Sequence, residues 1–324
     1  MSFIKPIQRS VLSLAIVIAL TGSVKAEDSV VTSIPGVADA GTKVELIKEG
    51  FNGTEGPISL PDGSAIFTET TANRITRVGI DNTISTFLEN TNGANGLAFT
   101  PSGELIAVQT LNTKVGIIYP AGKEKVLAEN FAGTAFQRPN DLVLAKNGGI
   151  YFTDSGTRAS KENPNPPRSN PGVYYISPIG DLKRLATPAD IERPNGIQLS
   201  PNEKTLYVAN TAGEYLLAYD IASDGSISGK RNFAKLQGWS QTDNVWSSGA
   251  DGLAIDAEGR VFAVSNLGIE VFTDKGEALG IIPVPKKPQN IAFVGKDKKT
   301  LFIVGRGSAY KIALKTAGYS GRVK

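Results

Sequence analysis

The chain has 324 residues, contains no histidine or cysteine, and carries 34 basic and 31 acidic side chains. The missing residue types exclude a Ser-His-Asp triad, a catalytic thiol, disulfide bonds and histidine-bound zinc. The small excess of positive charge gives no reason to expect nucleic acid or an anionic membrane as a partner.

Residues 1–26 have the pattern of a secretory signal peptide. Lys5 and Arg9 precede the apolar run VLSLAIVIAL, and a small-residue cleavage pattern ends at Ala26. Because the apolar run is too short for a stable membrane span, we expect cleavage and a periplasmic or secreted protein with no membrane attachment. An uncleaved tether is the alternative. Removing this segment leaves 31 basic and 31 acidic residues, so the net charge of +3 comes from the signal peptide.

A six-fold repeat organises the rest of the chain. In each repeat a polar residue opens a short apolar run, a turn position follows eight residues later, and a second apolar run comes next. The six polar residues, called the ring residues below, are Glu55, Asn95, Asn140, Asn195, Asp251 and Asn290. The turn positions are Gly63, Gly103, Gly148, Glu203, Gly259 and Lys298. Repeats 39 to 56 residues apart are typical of a β-propeller.

Each repeat has room for two further strands, so the pattern predicts an all-β, six-bladed propeller with four-stranded blades over residues 44–314. The last repeat is one strand short. We expect VELIKEG at 44–50 to pair with the last blade and close the ring, the alternative being that it merely leads into the first blade. Residues 27–43 should form an extended or poorly ordered lead-in, and residues 315–324 a solvated polar tail.

Two insertions interrupt the repeats, at residues 155–171 and 237–249. Long loops on rigid scaffolds often carry function, although ordinary surface loops are the alternative. The second insertion contains Trp239 and Trp246 and leads directly to Asp251, which favours a lid over the channel. Packing of the tryptophans beneath a blade is the other interpretation.

Residues in the same register of successive blades converge at the propeller axis. Six polar side chains, two of them carboxylates, would therefore meet in one channel, where the carboxylates repel each other. A divalent cation would cancel their charge, and carboxamide oxygens would complete its ligands. This donor set favours Ca²⁺, with Mg²⁺ second and Mn²⁺ or Zn²⁺ as further alternatives. A water-filled ring with simple Asn-Gly turns is the competing interpretation.

Several longer motifs resemble the senescence marker protein/gluconolactonase/luciferin-regenerating enzyme family of calcium-dependent six-bladed propellers, over most of residues 44–314. The motifs are TEGP at 54–57, RPNDLVLAKNGGIYFTDSG at 138–156, RPNGIQLSPNEKTLYVANT at 193–211 and DGLAIDAEGRVFAVSN at 251–266. The resemblance implies metal ligands at Glu55, Asn140, Asn195 and Asp251. It also implies that Arg138 points toward substrate, and that Asn95 and Asn290 contact substrate or water.

The chain departs from the family pattern in two respects. SSGA precedes Asp251, where the family often has a proline, and the histidine used by some related propellers is missing.

The resemblance suggests a Ca²⁺-dependent lactonase acting on a small-molecule lactone or ester. The metal would polarise the ester carbonyl, with Asn95 or Asn140 donating to the developing oxyanion. Asp251 would serve as general base or as nucleophile. Arg138 would orient the substrate.

Two other functions compete with this one. A non-catalytic propeller could bind a ligand around a structural Ca²⁺, or the same metal could support phosphotriester hydrolysis. We expect a monomer in each case. Asp154 is expected to cap the turn after its strand rather than to support the metal ligands, and Asp141 is expected to point away from the axis.

Overall fold

The computed structural model of the chain describes Met1 and residues 29–157, 171–242 and 244–322. Within these residues it contains 28 β-strands and no helix. The strands form six four-stranded antiparallel sheets and two short hairpins. Each sheet is one blade of a propeller, which confirms the predicted fold class.

The strands of the first three blades, from the axis outward, are β2 (Thr54–Ser59), β3 (Ala65–Glu69), β4 (Arg74–Val78) and β5 (Ile84–Glu89); β6 (Ala94–Phe99), β7 (Leu105–Gln109), β8 (Lys114–Tyr119) and β9 (Lys125–Ala128); β12 (Pro139–Leu144), β13 (Ile150–Asp154), β14 (Gly172–Ile176) and β15 (Leu182–Ala186). Those of blades four to six are β16 (Pro194–Leu199), β17 (Thr205–Asn210), β18 (Tyr215–Ile221) and β19 (Ile227–Lys235); β22 (Leu253–Ile255), β23 (Val261–Ser265), β24 (Gly268–Phe272) and β25 (Ala278–Ile282); β26 (Asn290–Val294), β27 (Thr300–Gly305), β28 (Ser308–Ala313) and β1 (Glu45–Glu49). The hairpins are β10 (Asn130–Phe131) with β11 (Thr134–Ala135), and β20 (Ser240–Thr242) with β21 (Val245–Ser247).

The ring closes because a strand from the start of the chain pairs with strands from its end in one blade. Strand β1 lies antiparallel to β28, with Glu45 opposite Lys311 and Leu46 opposite Tyr310. The first strand thus supplies the outer edge of the last blade, as predicted. This arrangement ties the first and last blades together without an open seam.

The predicted turn positions all adopt the left-handed backbone conformation. Their φ angles lie between 56° and 91°. Four are glycines, which reach this region without strain, whereas Glu203 and Lys298 reach it as non-glycine residues. The Glu203 carboxylate accepts hydrogen bonds from the backbone N–H of Lys146 and from Arg322, which helps to hold that turn. The repeat therefore extends to backbone geometry as well as to sequence.

Most of the hydrophobic core lies between neighbouring blades. One buried cluster joins Val108 of the second blade to Phe152 and Tyr174 of the third, and the two aromatic rings stack at 5.2 Å. Another joins Phe262 of the fifth blade to Phe293 of the sixth, edge to face at 5.1 Å. Burial of each such side chain contributes about 1.5–3 kcal/mol. These contacts fix each blade against its neighbours and so fix the ring residues at the axis.

Both terminal segments pack more closely than the sequence suggested. Val31, Ile34 and Val37 of the lead-in are at most 2% exposed and join the core of the last two blades. The lead-in was expected to be extended or poorly ordered, and its described part is an irregular segment packed on the blades. The apolar residues of this short segment recur at regular spacing and pack on the surface of the last two blades. Local composition does not reveal that contact.

Part of the tail also packs on the blades, although Lys315, Ser320 and Gly321 are exposed. Thr316 is buried and donates a hydrogen bond to the Asp256 carboxylate, and Gly318 bridges to Asp256. Arg322, with a side chain 6% exposed, donates to Glu203 and to the carbonyl oxygens of Leu199 and Ser200. Polar residues here bind backbone carbonyls and carboxylates at the turn ends of the blades.

The two insertions occupy different kinds of connection. Residues 155–171 join β13 to β14 of the third blade, whereas the second insertion, with hairpin β20–β21, leads into the innermost strand of the fifth blade at Asp251. The hairpin β10–β11 lies outside both insertions and precedes Asn140. Residues 158–170 of the first insertion and the proposed signal peptide, apart from Met1, lie outside the described residues. In the described part of the chain there is no helix long and apolar enough to cross a membrane.

A candidate metal centre at the propeller axis

The six innermost strands form a complete ring. Each contacts the innermost strands of the two blades beside it. In the first four blades the strand pairing is interrupted by an irregularity at the ring residue: the shifts fall between Glu55 and Ile58, Ala94 and Leu97, Pro139 and Leu142, and Pro194 and Ile197. Such bulges re-aim side chains that would otherwise alternate across the sheet. They direct the ring residues out of the blade toward the axis.

The ring is too tight for a side chain after most ring residues. A Cβ atom on Gly56 would lie 1.9 Å from the Asn95 carbonyl oxygen, and one on Gly196 would lie 2.2 Å from the Asp251 carbonyl oxygen. Glycine therefore follows these ring residues because the neighbouring backbone passes directly beside it.

The third blade has Asp141 at this position. Asp141 is fully buried and accepts hydrogen bonds from the backbone N–H groups of Leu142 and, across to the next blade, Ile197. Its carboxylate therefore joins two blades.

Two ring residues have their amide oxygens engaged within the protein. Asn95 Oδ1 accepts from Thr70 Oγ1 at 3.1 Å, and Asn95 Nδ2 donates to the Asn140 carbonyl at 2.7 Å. Asn290 Oδ1 accepts from the Ile291 N–H at 2.9 Å, and its Nδ2 donates to Glu55 Oε2 at 3.1 Å. These two side chains therefore support the ring and its other members.

Three other ring residues present buried oxygens with no hydrogen-bond donor among the described residues: Asn140 Oδ1, Asn195 Oδ1 and Asp251 Oδ1. An unsatisfied buried acceptor costs about 1–3 kcal/mol, so three such atoms in one ring require an explanation. All three belong to residues that the family resemblance implies as metal ligands. Their chemistry fits a hard cation that accepts oxygen ligands.

The two acidic ring residues have perturbed acidities. Burial raises the pKa of Glu55 to about 7, with the Asp141 charge adding to the effect and hydrogen bonds from Asn290 and Gly56 opposing it. Burial and the Glu55 charge raise the pKa of Asp251 well above its usual range, against the attraction of Arg138, Arg193 and Lys287. A cation between the two carboxyl groups would offset the repulsion between their negative charges.

The donor set is rich in amides. No three carboxylate side chains converge in the part of the chain that the structure describes, and the sequence has no histidine or cysteine. Glu55 and Asp251 would supply charge, and Asn140 and Asn195 neutral oxygens. Such a set suits Ca²⁺, whose coordination is flexible and tolerates water ligands, better than the strict octahedron of Mg²⁺.

Two arginines stand at equivalent places beside the ring. Arg138 and Arg193 each precede a Pro-Asn pair, and the backbone N–H of each is held by the second strand of its own blade. The acceptor is Asp154 Oδ1 for Arg138 at 2.8 Å and Asn210 Oδ1 for Arg193 at 3.0 Å. The Arg138 side chain is exposed. Its charge acts on both acidic ring residues.

Asp154 is a turn cap, as predicted. Its carboxylate also accepts from the N–H groups of Gln137 and Gly156. By contrast, Arg193 and Lys287, which both act electrostatically on Asp251, were not singled out from the sequence. The repeated Arg-Pro-Asn triplet was the available signal for Arg193, whereas Lys287 lies in an irregular connection that carries none.

The second insertion forms a hairpin with an aromatic pair. Trp239 and Trp246 stack at 5.4 Å with 22° between their planes, and Trp246 is 51% exposed. Packing beneath a blade is therefore excluded as their role. The pair lies on the connection that leads into Asp251.

Comparisons with known proteins agree with this fold. Residues 53–306 match the family described as SMP-30/Gluconolactonase/LRE-like region, and the chain belongs to that family. A gluconolactonase from Zymomonas mobilis subsp. mobilis is 30% identical over 305 residues, which cover 87% of this chain and 84% of that protein. A solved gluconolactonase from Xanthomonas campestris aligns at 25% identity with a TM-score of 0.73, covering 89% of this chain and 95% of that one.

A third relative extends the comparison of folds. Regucalcin from Agrobacterium tumefaciens, described as a calcium-binding protein, aligns with a TM-score of 0.70 at 18% identity, over 85% of this chain and 95% of that one. At this identity the likeness concerns the fold alone.

Proposed function

We propose that the chain is a secreted lactonase that depends on a divalent metal, most simply Ca²⁺, held at the propeller axis. The observation that carries the proposal is the set of three unpartnered buried oxygens on Asn140, Asn195 and Asp251, which share the ring with Glu55. The gluconolactonase relatives indicate the reaction class, and the oxygen-rich donor set of the ring favours the metal. The pattern of residues 1–26 supports secretion to the periplasm or beyond.

The four ligands would leave room for substrate on one side. When bound, the cation supplies Lewis-acid polarisation of the ester carbonyl. Asp251 is half-buried, so one edge of it faces the channel, where it can take a proton from an attacking water. Direct attack by Asp251 on the carbonyl is the alternative.

Neutral and positive groups would complete the site. Asn140 Nδ2, or the second proton of Asn95 Nδ2, can donate to the developing oxyanion. The exposed Arg138 guanidinium, anchored through its backbone by Asp154, would orient hydroxyl or carboxyl groups of the substrate.

The test is hydrolysis of a panel of aldonolactones and acyl lactones by the mature protein. We would assay it with Ca²⁺, with a chelator, and as the Asp251→Asn variant. Asp274→Asn, which alters an exposed carboxylate of the same blade, is the matched control. Turnover should require both the metal and Asp251 and should survive the control substitution.

Two results would overturn the proposal. Hydrolysis that persists after chelation would remove the metal from the mechanism. Metal binding without turnover of any lactone would favour the binding propeller, and a phosphotriester included in the panel would detect the remaining hydrolase alternative.

A further inference from the structure

The side chain of Thr211 joins two of the ring residues. Thr211 directly follows β17 and its hydroxyl accepts a hydrogen bond from Asn195 Nδ2 at 3.0 Å. The same hydroxyl donates to the Ala250 carbonyl oxygen at 2.7 Å, immediately before Asp251. A single hydroxyl thus links the fourth and fifth blades at the axis.

The direction of these two bonds decides what Asn195 presents to the ring. A hydroxyl has one proton, and that of Thr211 is committed to Ala250, so toward Asn195 the oxygen can act only as an acceptor. The Asn195 amide must then turn its N–H toward Thr211 and its Oδ1 elsewhere. Oδ1 is one of the unpartnered buried oxygens in the ring. The opposite amide orientation would place N–H donors where a cation has to bind.

The backbone of Thr211 also holds the tryptophan hairpin. Its carbonyl oxygen accepts from Ser247 Oγ at 2.9 Å and from the Ser248 N–H at 3.2 Å. On the other side of the hairpin, Asn266 Nδ2 donates to the carbonyl oxygens of Gly238 at 3.0 Å and Ser247 at 2.8 Å. A movement of Thr211 would therefore be transmitted to the hairpin that carries both tryptophans.

We propose that Thr211 is a positioning residue that orients Asn195 as a metal ligand and couples the metal centre to the tryptophan hairpin. This inference rests on the metal centre of the proposed function. Residues that orient a ligand commonly change metal affinity by about 10- to 100-fold when they are lost. Thr211 would do so without contacting the metal.

The first measurement is calorimetric titration of Ca²⁺ into the metal-free mature protein. Thr211→Val keeps the shape but removes the hydroxyl, and we expect roughly 10- to 100-fold weaker binding. Thr211→Ser keeps the hydroxyl and should restore affinity to near the wild-type value. Should the valine variant fail to fold by circular dichroism, Thr211→Ala, which places no extra methyl group against Ala250, replaces it.

Thr70 provides a matched control. It occupies the same position after β3, and its hydroxyl bonds to the Ala94 carbonyl and to Asn95 Oδ1, each at 3.1 Å. Thr70→Val removes an equivalent hydroxyl from the ring but leaves Asn195 untouched. Its Ca²⁺ affinity should stay close to that of the wild type.

The second measurement is intrinsic fluorescence. The chain has two tryptophans, both on or beside the hairpin, so tryptophan emission, excited selectively over the tyrosines, reports on this segment. Saturating Ca²⁺ should change the emission of the wild type and of Thr211→Ser, and the change should shrink in Thr211→Val.

The outcomes separate the two proposals. A wild type that binds no divalent cation overturns the metal centre, and the role of Thr211 with it. A wild type that binds Ca²⁺ while Thr211→Val binds equally well overturns the role of Thr211 alone. Calorimetric binding with no change in tryptophan emission overturns the coupling to the hairpin.

Discussion

Within the ring, Asn95 and Asn195 are both followed by glycine, yet they differ in how their amides meet the neighbouring threonine hydroxyl. Thr70 donates to Asn95 Oδ1, which occupies that oxygen, whereas Thr211 accepts from Asn195 Nδ2, which leaves the Asn195 oxygen for another partner. The repeat predicts that both asparagines reach the axis. It does not predict how each amide is turned, because the Asn95 amide is oriented by the bond from its Nδ2 to the Asn140 carbonyl of the next blade. The choice of ligands is therefore settled by contacts between blades.

The acidity of Glu55 leads to a prediction at this scale. Its pKa lies near 7 in the folded chain against an ordinary value of 4.5, so folding takes up a proton between these values. Without metal, Glu55 should therefore lower the free energy of unfolding as pH rises from 4.5 to 7, by about 3 kcal/mol at most, and the raised pKa of Asp251 should add to this fall. Urea denaturation of the metal-free protein across this range is the measurement. Saturating Ca²⁺ should remove the fall, because it replaces the proton.

Glu55→Gln is the control for this behaviour. It removes the titrating group and should flatten the pH dependence relative to the wild type. Equal slopes for the two proteins would show that Glu55 keeps an ordinary pKa and would weaken the case for a buried ring carboxylate.

The close approach of neighbouring blades leads to a second prediction. Gly196→Ala places a methyl group 2.2 Å from the Asp251 carbonyl oxygen, so the backbone must shift. We expect a loss of about 3 kcal/mol in unfolding free energy. Gly103→Ala, at a turn with φ of 83° and nothing within 4 Å, should cost only about 1 kcal/mol in backbone strain. Thermal unfolding of the two variants is the measurement. Equal stability would contradict the close approach of neighbouring blades at the ring.

At the scale of elements, the strands were predictable and the terminal segments were not. Runs of β-branched and aromatic residues between turn residues indicate strands, as in the segments of β14 and β18. Residues 30–43 and 315–322 lack such runs and gain their order from surfaces that exist only after the blades have formed. A segment that is stabilised by partners distant in sequence leaves little local trace.

The tail supplies the prediction for this scale. Arg322 is almost fully buried and bonds to Glu203 and to the carbonyl oxygens of Leu199 and Ser200, so Arg322→Ala leaves these acceptors unpaired. We expect a loss of about 2 kcal/mol in unfolding free energy. Lys315 forms an exposed ion pair with Asp39, and Lys315→Ala should cost less than about 1 kcal/mol. Chemical denaturation measures the unfolding free energy of both variants. Equal losses for Arg322→Ala and Lys315→Ala would mean that the buried contacts of Arg322 add no stability of their own.

At the scale of the whole molecule, the propeller depends on closure. Each blade contacts only its neighbours, so an open ring would expose a strand edge and two blade faces. The sequence predicted this closure from a count of strands, because six repeats with one strand missing must borrow it from elsewhere. What the count could not predict was the conformation of the insertions, which have no counterpart in other repeats.

Deletion of residues 29–49 tests closure together with the packing of the lead-in on the last two blades. It removes β1 and leaves β28 as an open edge. We expect loss of cooperative unfolding and self-association, measured by scanning calorimetry and size-exclusion chromatography. A truncated protein that stays monomeric and unfolds near the wild-type temperature would show that the first strand is dispensable.

The central claim is that the ring residues form one metal site. The most direct measurement is anomalous scattering from crystals of the mature protein grown with Mn²⁺ in place of Ca²⁺. We predict one strong anomalous peak on the axis, in contact with oxygens of Glu55, Asn140, Asn195 and Asp251. An axis without a peak at saturating Mn²⁺, or a metal bound elsewhere on the propeller, would contradict it.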